Sequence, residues 1–187
     1  MNGQERLAEQ SKAWLEAALF DLLDERPYAA ITVTEIAERA QLSRRTFYRA
    51  FQDKDALLDY YNQEVGQRYL AALQRIDPQN MVFEDVLTYF FEFWWQERQR
   101  VSCLIAQGLF DRTLAQITPQ ASEIYRVFPA PWHIAGSTVE TGYIMSFAAG
   151  GFWNVLNTWL VKPHPESPAK MAALLTAGLK RLGETGV

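Results

Sequence analysis

The segment Ile31–Lys54, ITVTEIAERAQLSRRTFYRAFQDK, packs three helix starts into two dozen residues. Thr32 and Glu35 have the spacing of a capping box, in which each side chain satisfies an orphan backbone donor. Ile36, Ala37 and Ala40 then give a short helix one apolar face. Gln41-Leu42-Ser43 interrupts it. Ser43 stands as the N-cap of a second short helix through Arg44, Arg45, Thr46, Phe47, Tyr48, Arg49, Ala50 and Phe51. Asp53 caps a third, longer helix. Two short helices joined by a turn of three to four residues predict a helix-turn-helix, whose second helix can enter a DNA major groove.

The second helix carries the chemistry. Phe47 and Phe51, four residues apart, share one face and are expected to pack inward. Arg44, Arg45, Tyr48 and Arg49 are then left outward. Arginine forks onto guanine edges or phosphates, and tyrosine donates to phosphate. Lys54, in the first turn of the next helix, is placed to reach a phosphate together with nearby backbone N–H groups.

Read from Thr32 to Leu58, the string T-V-x-x-I-A-x-x-A-x-x-S-x-x-T-F-Y-x-x-F-x-x-K-x-x-L-L resembles the DNA-binding signature of TetR-family transcription regulators. Ala17-Ala18-Leu19 and Tyr28 also match that family's first helix and the turn after it. The resemblance covers about residues 11 to 60. It implies an all-α fold, with a helix-turn-helix DNA-binding domain over residues 1–60 and a helical ligand-binding and dimerisation domain over residues 61–187. The DNA-binding set expected on this basis is Thr32, Thr34, Ser43, Arg44, Arg45, Thr46, Tyr48, Arg49 and Lys54. Two positions depart from the family pattern. Pro27 stands where Gly is usual, so that turn must form without a positive φ. Ala50 stands where His or Tyr often contacts phosphate, a contact that Arg49 partly replaces.

Composition narrows the remaining choices. The 187 residues are 49% hydrophobic, enough for a sizeable core, and carry a net charge of −4. The pI of about 5.3 argues against a broadly basic coat for nucleic acid, but not against a local basic footprint. Even residues 1–62 hold more acids than bases. The positive charge is local, on Arg44, Arg45, Arg49 and Lys54, which predicts weak non-specific binding and reliance on a few good contacts. Cys103 is the single cysteine, so no intramolecular disulfide forms. In its apolar run it reads as a small core residue, and a reducing cytoplasm suits it. Met1–Gln10 is polar and lacks the apolar core of a signal peptide. Thr141–Val161 carries no charge and is about long enough to span a bilayer. Its Ser146, Asn154, Asn157, Thr158 and glycines fit a helix buried in protein better, and no membrane partner is expected.

The periodicity predicts helices throughout. A first runs from Ser11 to about Glu25, stopped by Pro27. A fourth runs from Asp53 to about Ile76 and links the two domains mechanically. An aromatic helix occupies Val82–Glu97, and a shorter one runs from Gln99 to about Gln107 with Gly108 as its stop. Further helices cover Leu109 to about Leu114 and Gln120–Val127, with Thr118-Pro119 between them. A long one starts at Ser137 or Thr138 and ends near Val161. The last starts at Ser167-Pro168 and runs to about Leu182.

Phe90, Phe91, Trp94, Phe110, Tyr125, Phe128, Trp132, Tyr143, Phe147 and Trp153 are candidates to line an apolar cavity, since flat rings with a few polar tips suit an apolar or aromatic effector. The alternative is that they fill a helical core. The resemblance favours the cavity, because TetR-family proteins keep a divergent effector site in this region. Ala148, Ala149, Gly150 and Gly151 form a small-residue patch, and glycine inside a helix costs about 1 kcal/mol against alanine. The string G-G-F-W-N-V-L-N-T-W-L followed by S-P-A-K-M-A resembles the end of a TetR subgroup whose last two helices pair with their copies. It implies a homodimer interface with Ala148, Gly151, Val155, Met171, Leu175 and Leu179.

Enzyme signatures are missing. His133 and His164 lie in or beside proline-rich loops without metal-ligand spacing. There is no G-x-S-x-G and no phosphate-cradling glycine loop. No catalytic residue, metal or cofactor is expected. The sequence therefore predicts a homodimeric, ligand-responsive repressor on a palindromic double-stranded operator. The rival, an all-α ligand-binding or enzymatic dimer without operator binding, rests on the acidic balance and on Ala50.

Overall fold

The structure, a computed structural model, describes residues 3–117 and 136–184. Among these residues there are nine α-helices and no strand. They are α1 (Gly3–Glu25), α2 (Val33–Arg39), α3 (Arg44–Ala50), α4 (Lys54–Leu73), α5 (Phe83–Gln96), α6 (Arg98–Ala106), α7 (Phe110–Ile117), α8 (Thr138–Leu160) and α9 (Pro168–Glu184). Short 3-10 turns, Tyr28–Ala30 and Pro78–Asn80, precede α2 and α5. The helix expected over Gln120–Val127 and the residues Tyr125, Phe128, Trp132 and His133 lie outside the described residues.

The caps anticipated from sequence form as expected. The Thr32 hydroxyl accepts from the Glu35 N–H, while the Glu35 carboxylate accepts from the Thr32 N–H at 2.9 Å. Ser43 accepts from the Thr46 N–H at 3.0 Å, and Asp53 from the Ala56 N–H at 2.8 Å. Ser137 and Glu140 build a second capping box at the start of α8. Pro27 needs no positive φ. At φ −59°, ψ 140° it leads into the 3-10 turn that carries the chain to Ile31. One boundary differs from expectation: α1 begins at Gly3 rather than Ser11. Its first turns are polar and exposed but contain no helix breaker.

α1 packs against α2, α3 and α4 through Leu15, Leu19, Leu22 and Leu23. These residues meet Ile31, Ile36, Phe47, Phe51, Leu57 and Leu58 in one continuous core. α5 is central to the second half. It lies along α9, and its rings meet α8 at Phe90–Phe152 (5.2 Å), Trp94–Trp153 (4.8 Å) and Phe91–Trp159 (5.2 Å). Cys103 is half-buried on α6, and burial pushes its thiol up to about 11, as suits a packing residue.

α8 crosses no membrane: among the described residues no helix is long and apolar enough to do so. Its inward stripe is Ala149, Trp153, Leu156, Trp159 and Leu160. Its outward stripe carries Tyr143, Phe147, Gly151, Asn154 and Thr158.

Candidate nucleic-acid interface

α2 and α3 are set at a fixed angle by the turn between them. After the C-cap Ala40, the Gln41 N–H donates to the Glu38 carbonyl (3.0 Å) and the Leu42 N–H to the Ala37 carbonyl (2.8 Å). This pair of bonds is a Schellman motif, which places its second-to-last residue in the left-handed region. Gln41 sits there at φ 56°, the only non-glycine residue with positive φ among the described residues. An equivalent motif with Gly108 at φ 67° ends α6.

On this frame Phe47 is fully buried, and Arg44, Arg45 and Arg49 are exposed. Tyr48 is 50% exposed, with the Arg44 guanidinium 5.9 Å from its ring centre. No carboxylate of the described residues comes within ion-pair distance of these three arginines. Other cations nearby are neutralised: Arg39 pairs with Glu25 at 2.7 Å and Arg26 with Glu35 at 2.6 Å. The unpaired positive charge of the helix-turn-helix is thus concentrated on α3. Such a face, backed by a rigid three-helix core, suits phosphate and base-edge contacts.

The remaining predicted DNA-binding residues fall into two groups. Thr32 and Ser43 are exposed, and Thr34 and Thr46 are half-buried. The hydroxyls of Thr32, Ser43 and Thr46 already serve the local caps, with Ser43 and Thr46 2.9 Å apart. Lys54 is engaged within the chain. Its ammonium donates to the carbonyls of Tyr28 (2.6 Å) and Ile31 (2.8 Å) and lies 4.4 Å from the Tyr28 ring centre. Lys54 thus braces the 3-10 turn.

Sequence reasoning missed how the second half grips the first. Gln107, at the end of α6, donates to the carbonyls of Leu23 (2.8 Å) and Arg26 (3.3 Å) and accepts from the Tyr28 N–H (3.0 Å). Arg112 on α7 binds Asp59 and reaches Asp55 at 3.2 Å. Asp55 also accepts from the Tyr28 hydroxyl, and Arg100 pairs with Glu16. Burial and the Asp55 bond push the Tyr28 hydroxyl far above the ordinary tyrosine range, keeping it a donor.

The described members of the other two predicted sets lie on α5, α7, α8 and α9. Among the described residues, Phe90, Phe91, Trp94 and Phe110 are buried and packed ring against ring. Tyr143 and Phe147 are 76% and 83% exposed on the outer stripe of α8, so helical phase puts them away from those rings. A pocket of about 510 Å³ lies on the helix-turn-helix, lined by Trp14, Ala17, Ala18, Asp21, Arg39, Ala40 and Gln41. In the predicted interface set, Val155, Met171 and Leu175 pack partly against the chain's own core. Leu179 is 39% exposed, Gly151 is exposed and Ala148 is half-buried. On α9, Leu174 and Leu182 are exposed, whereas Ala172 and Thr176 are buried.

The fold and this face define a helix-turn-helix DNA-binding domain carried on a helical body. Residues 15–61 match the TetR N-terminal domain, described as bacterial regulatory proteins, tetR family. A protein of Bacillus subtilis (strain 168), the uncharacterized HTH-type transcriptional regulator YxbF, is 23% identical over 167 residues, covering 87% of this chain. The chain spans only 43% of that relative's length. A TetR transcriptional regulator from Streptococcus agalactiae 2603V has the same fold, with a TM-score of 0.60 at 18% identity over 91% of this chain and 94% of its own. The dihydroxyacetone kinase operon activator DhaS aligns with a TM-score of 0.59 at 16% identity, over 92% of this chain and 95% of its own. Residues 15–61 are thus a TetR-type helix-turn-helix domain, and the described residues share the fold of a solved TetR transcriptional regulator.

Proposed function

We propose that this regulator binds a palindromic operator as a homodimer, each α3 reading one half-site, and that a small apolar or aromatic effector bound among the helices of residues 61–187 releases it. The observation that carries the reading is the unpaired outward set Arg44, Arg45, Tyr48 and Arg49 on a braced α3. Pairing of two copies through α8 and α9 is supported by the outer stripe. A Cβ built on Gly150 or Gly151 meets nothing within 4 Å, so no close approach among the described residues accounts for these helix-interior glycines. A second copy approaching closely there does. Tyr143 and Phe147, exposed beside them, supply apolar area for the same contact.

The test is a mobility-shift titration with the DNA upstream of the chain's own gene, run beside sedimentation of the free protein. Saturable binding of that DNA in excess of unrelated competitor, by a dimer, supports the proposal. A monomer without preference for that DNA refutes it. Since a similarly folded protein is an operon activator, transcription from the same promoter decides the sign: repression predicts higher output when the gene is deleted.

A further inference from the structure

The acid excess of the DNA-binding half has a location. Its unpaired cations sit on α3, whereas α1 and α2 carry Asp21 and Glu38, neither of which forms an ion pair among the described residues. Between α1 and the end of α2 lies the hollow of about 510 Å³. That is the volume of a small-molecule site. Ala17, Ala18 and Ala40 leave the room, since their side chains end at Cβ. Trp14 forms one wall and is 47% exposed, a large ring kept out of the core.

Three features give the hollow its chemistry. Trp14 and Asp21 both line it from α1, seven residues and so about 10.5 Å apart along the helix axis. A ligand lying over Ala17 and Ala18 therefore meets an indole at one end and a carboxylate at the other. Arg39 on the opposite rim does not reverse the sign, because the Glu25 carboxylate holds its guanidinium at 2.7 Å. Gln41 completes the rim in left-handed backbone at φ 56°. Glycine would hold that turn without strain, and glutamine adds a polar tip there instead. An aromatic face near an unneutralised carboxylate recognises an ammonium, through the ring quadrupole and through charge.

We propose that this hollow binds a small aromatic ammonium compound. The ring of the ligand packs on Trp14 over the alanine floor, and its ammonium donates to the Asp21 carboxylate and to Gln41 Oε1. Asp21 and Glu38 repel an anion of the same shape, and a neutral analogue forfeits the charge contact. The bound molecule bridges α1 to the turn that sets α3, so it holds the two in their present arrangement. The site lies outside residues 61–187 and stands whether or not an effector binds there.

The experiment is calorimetric titration of the full chain with four probes: phenethylamine, phenethyl alcohol, phenylacetate and butylamine. Wild type is expected to bind phenethylamine roughly fivefold more tightly than the other three. Trp14→Leu keeps apolar bulk on an exposed position and removes the ring face. It should weaken phenethylamine binding about threefold to fivefold. Asp21→Asn, also at an exposed position, should bring phenethylamine down to the affinity of phenethyl alcohol. Gln41→Gly should weaken phenethylamine binding about threefold while melting higher than wild type, so its loss of binding cannot come from unfolding. Helical circular dichroism establishes that the other two variants fold. Phenylacetate, butylamine or phenethyl alcohol bound as tightly as phenethylamine overturns the proposal. So does unchanged phenethylamine affinity in any of the three folded variants, or the lack of saturable phenethylamine binding in the millimolar range.

Discussion

The guanidinium of Arg112 on α7 holds the carboxylate of Asp59 on α4 through two hydrogen bonds, Nε to Oδ1 at 2.7 Å and Nη2 to Oδ2 at 2.9 Å. A forked contact of this kind fixes orientation as well as distance. It ties the helix that begins beside the recognition helix to the helix whose Phe110 touches the aromatic cluster. The hydrogen bond from Arg112 holds the Asp59 carboxyl below the ordinary aspartate range, and burial opposes that only in part.

This pair predicts a pH dependence. A carboxyl whose pKa is lowered by folding contributes stability above its unfolded value of about 3.9 and loses it as pH falls through the lower folded value. Asp59→Asn should therefore be less stable than wild type at pH 7. With both partners about one-third exposed, solvent screening holds the loss to about 1 kcal/mol. In urea unfolding at pH 7 and again at about pH 3, the gap between the two proteins should shrink at the lower pH. A gap of equal size at both values would show that the pair contributes nothing to acid sensitivity.

Gln41 is the second testable position. An L-residue in the left-handed region costs about 1–2 kcal/mol, part of which a glycine returns as entropy lost from the unfolded chain. Gln41→Gly is expected to raise stability by about 0.5–1 kcal/mol. A lower melting temperature in that variant would mean the Gln41 side chain makes compensating contacts.

Lys54 and Arg49 should behave as opposites. Lys54→Met removes the brace on the Tyr28 and Ile31 carbonyls, so it should lower the melting temperature and leave the salt slope of operator binding unchanged. Arg49→Ala should keep the melting temperature and reduce that slope by about 1, the signature of one lost phosphate contact. A reduced slope for Lys54→Met would reinstate it as a DNA ligand.

The outer stripe of α8 gives a prediction about assembly. Phe147→Glu places a charge on a residue that is already 83% exposed in the single chain, so folding should survive. Sedimentation at micromolar concentration should then change from dimer to monomer. Wild type and variant sedimenting alike would place the interface elsewhere.

Much of the DNA-binding half was legible from sequence because its signals are local. Thr32, Ser43 and Asp53 announce caps within three residues, and the spacing of Phe47 and Phe51 sets the outward face of α3. The Gln41 conformation was not legible, since nothing in the residue type asks for a positive φ. The bracing contacts of Lys54 were not legible because its acceptors, the carbonyls of Tyr28 and Ile31, lie more than twenty residues earlier in the chain. Gln107 and Arg112 were invisible for the same reason, with partners about eighty and fifty residues away. In the C-terminal helices the apolar residues were identified but not their facing. Both sides of α8 and α9 are apolar, so periodicity alone did not separate Met171 and Leu175, which turn toward the core, from Leu174 and Phe147, which turn out.

The most direct test of base reading by α3 is a base-pair scan of the bound DNA with wild type and Arg45→Ala. Each base pair of a half-site is substituted in turn and the affinity measured at fixed salt. If Arg45 reads a base edge, wild type should lose roughly 1–3 kcal/mol at one position in each half-site, and Arg45→Ala should be indifferent there while still discriminating at the others. If Arg44→Ala, Arg45→Ala and Tyr48→Ala, all folded, match wild type in both affinity and base preference, α3 does not read the operator.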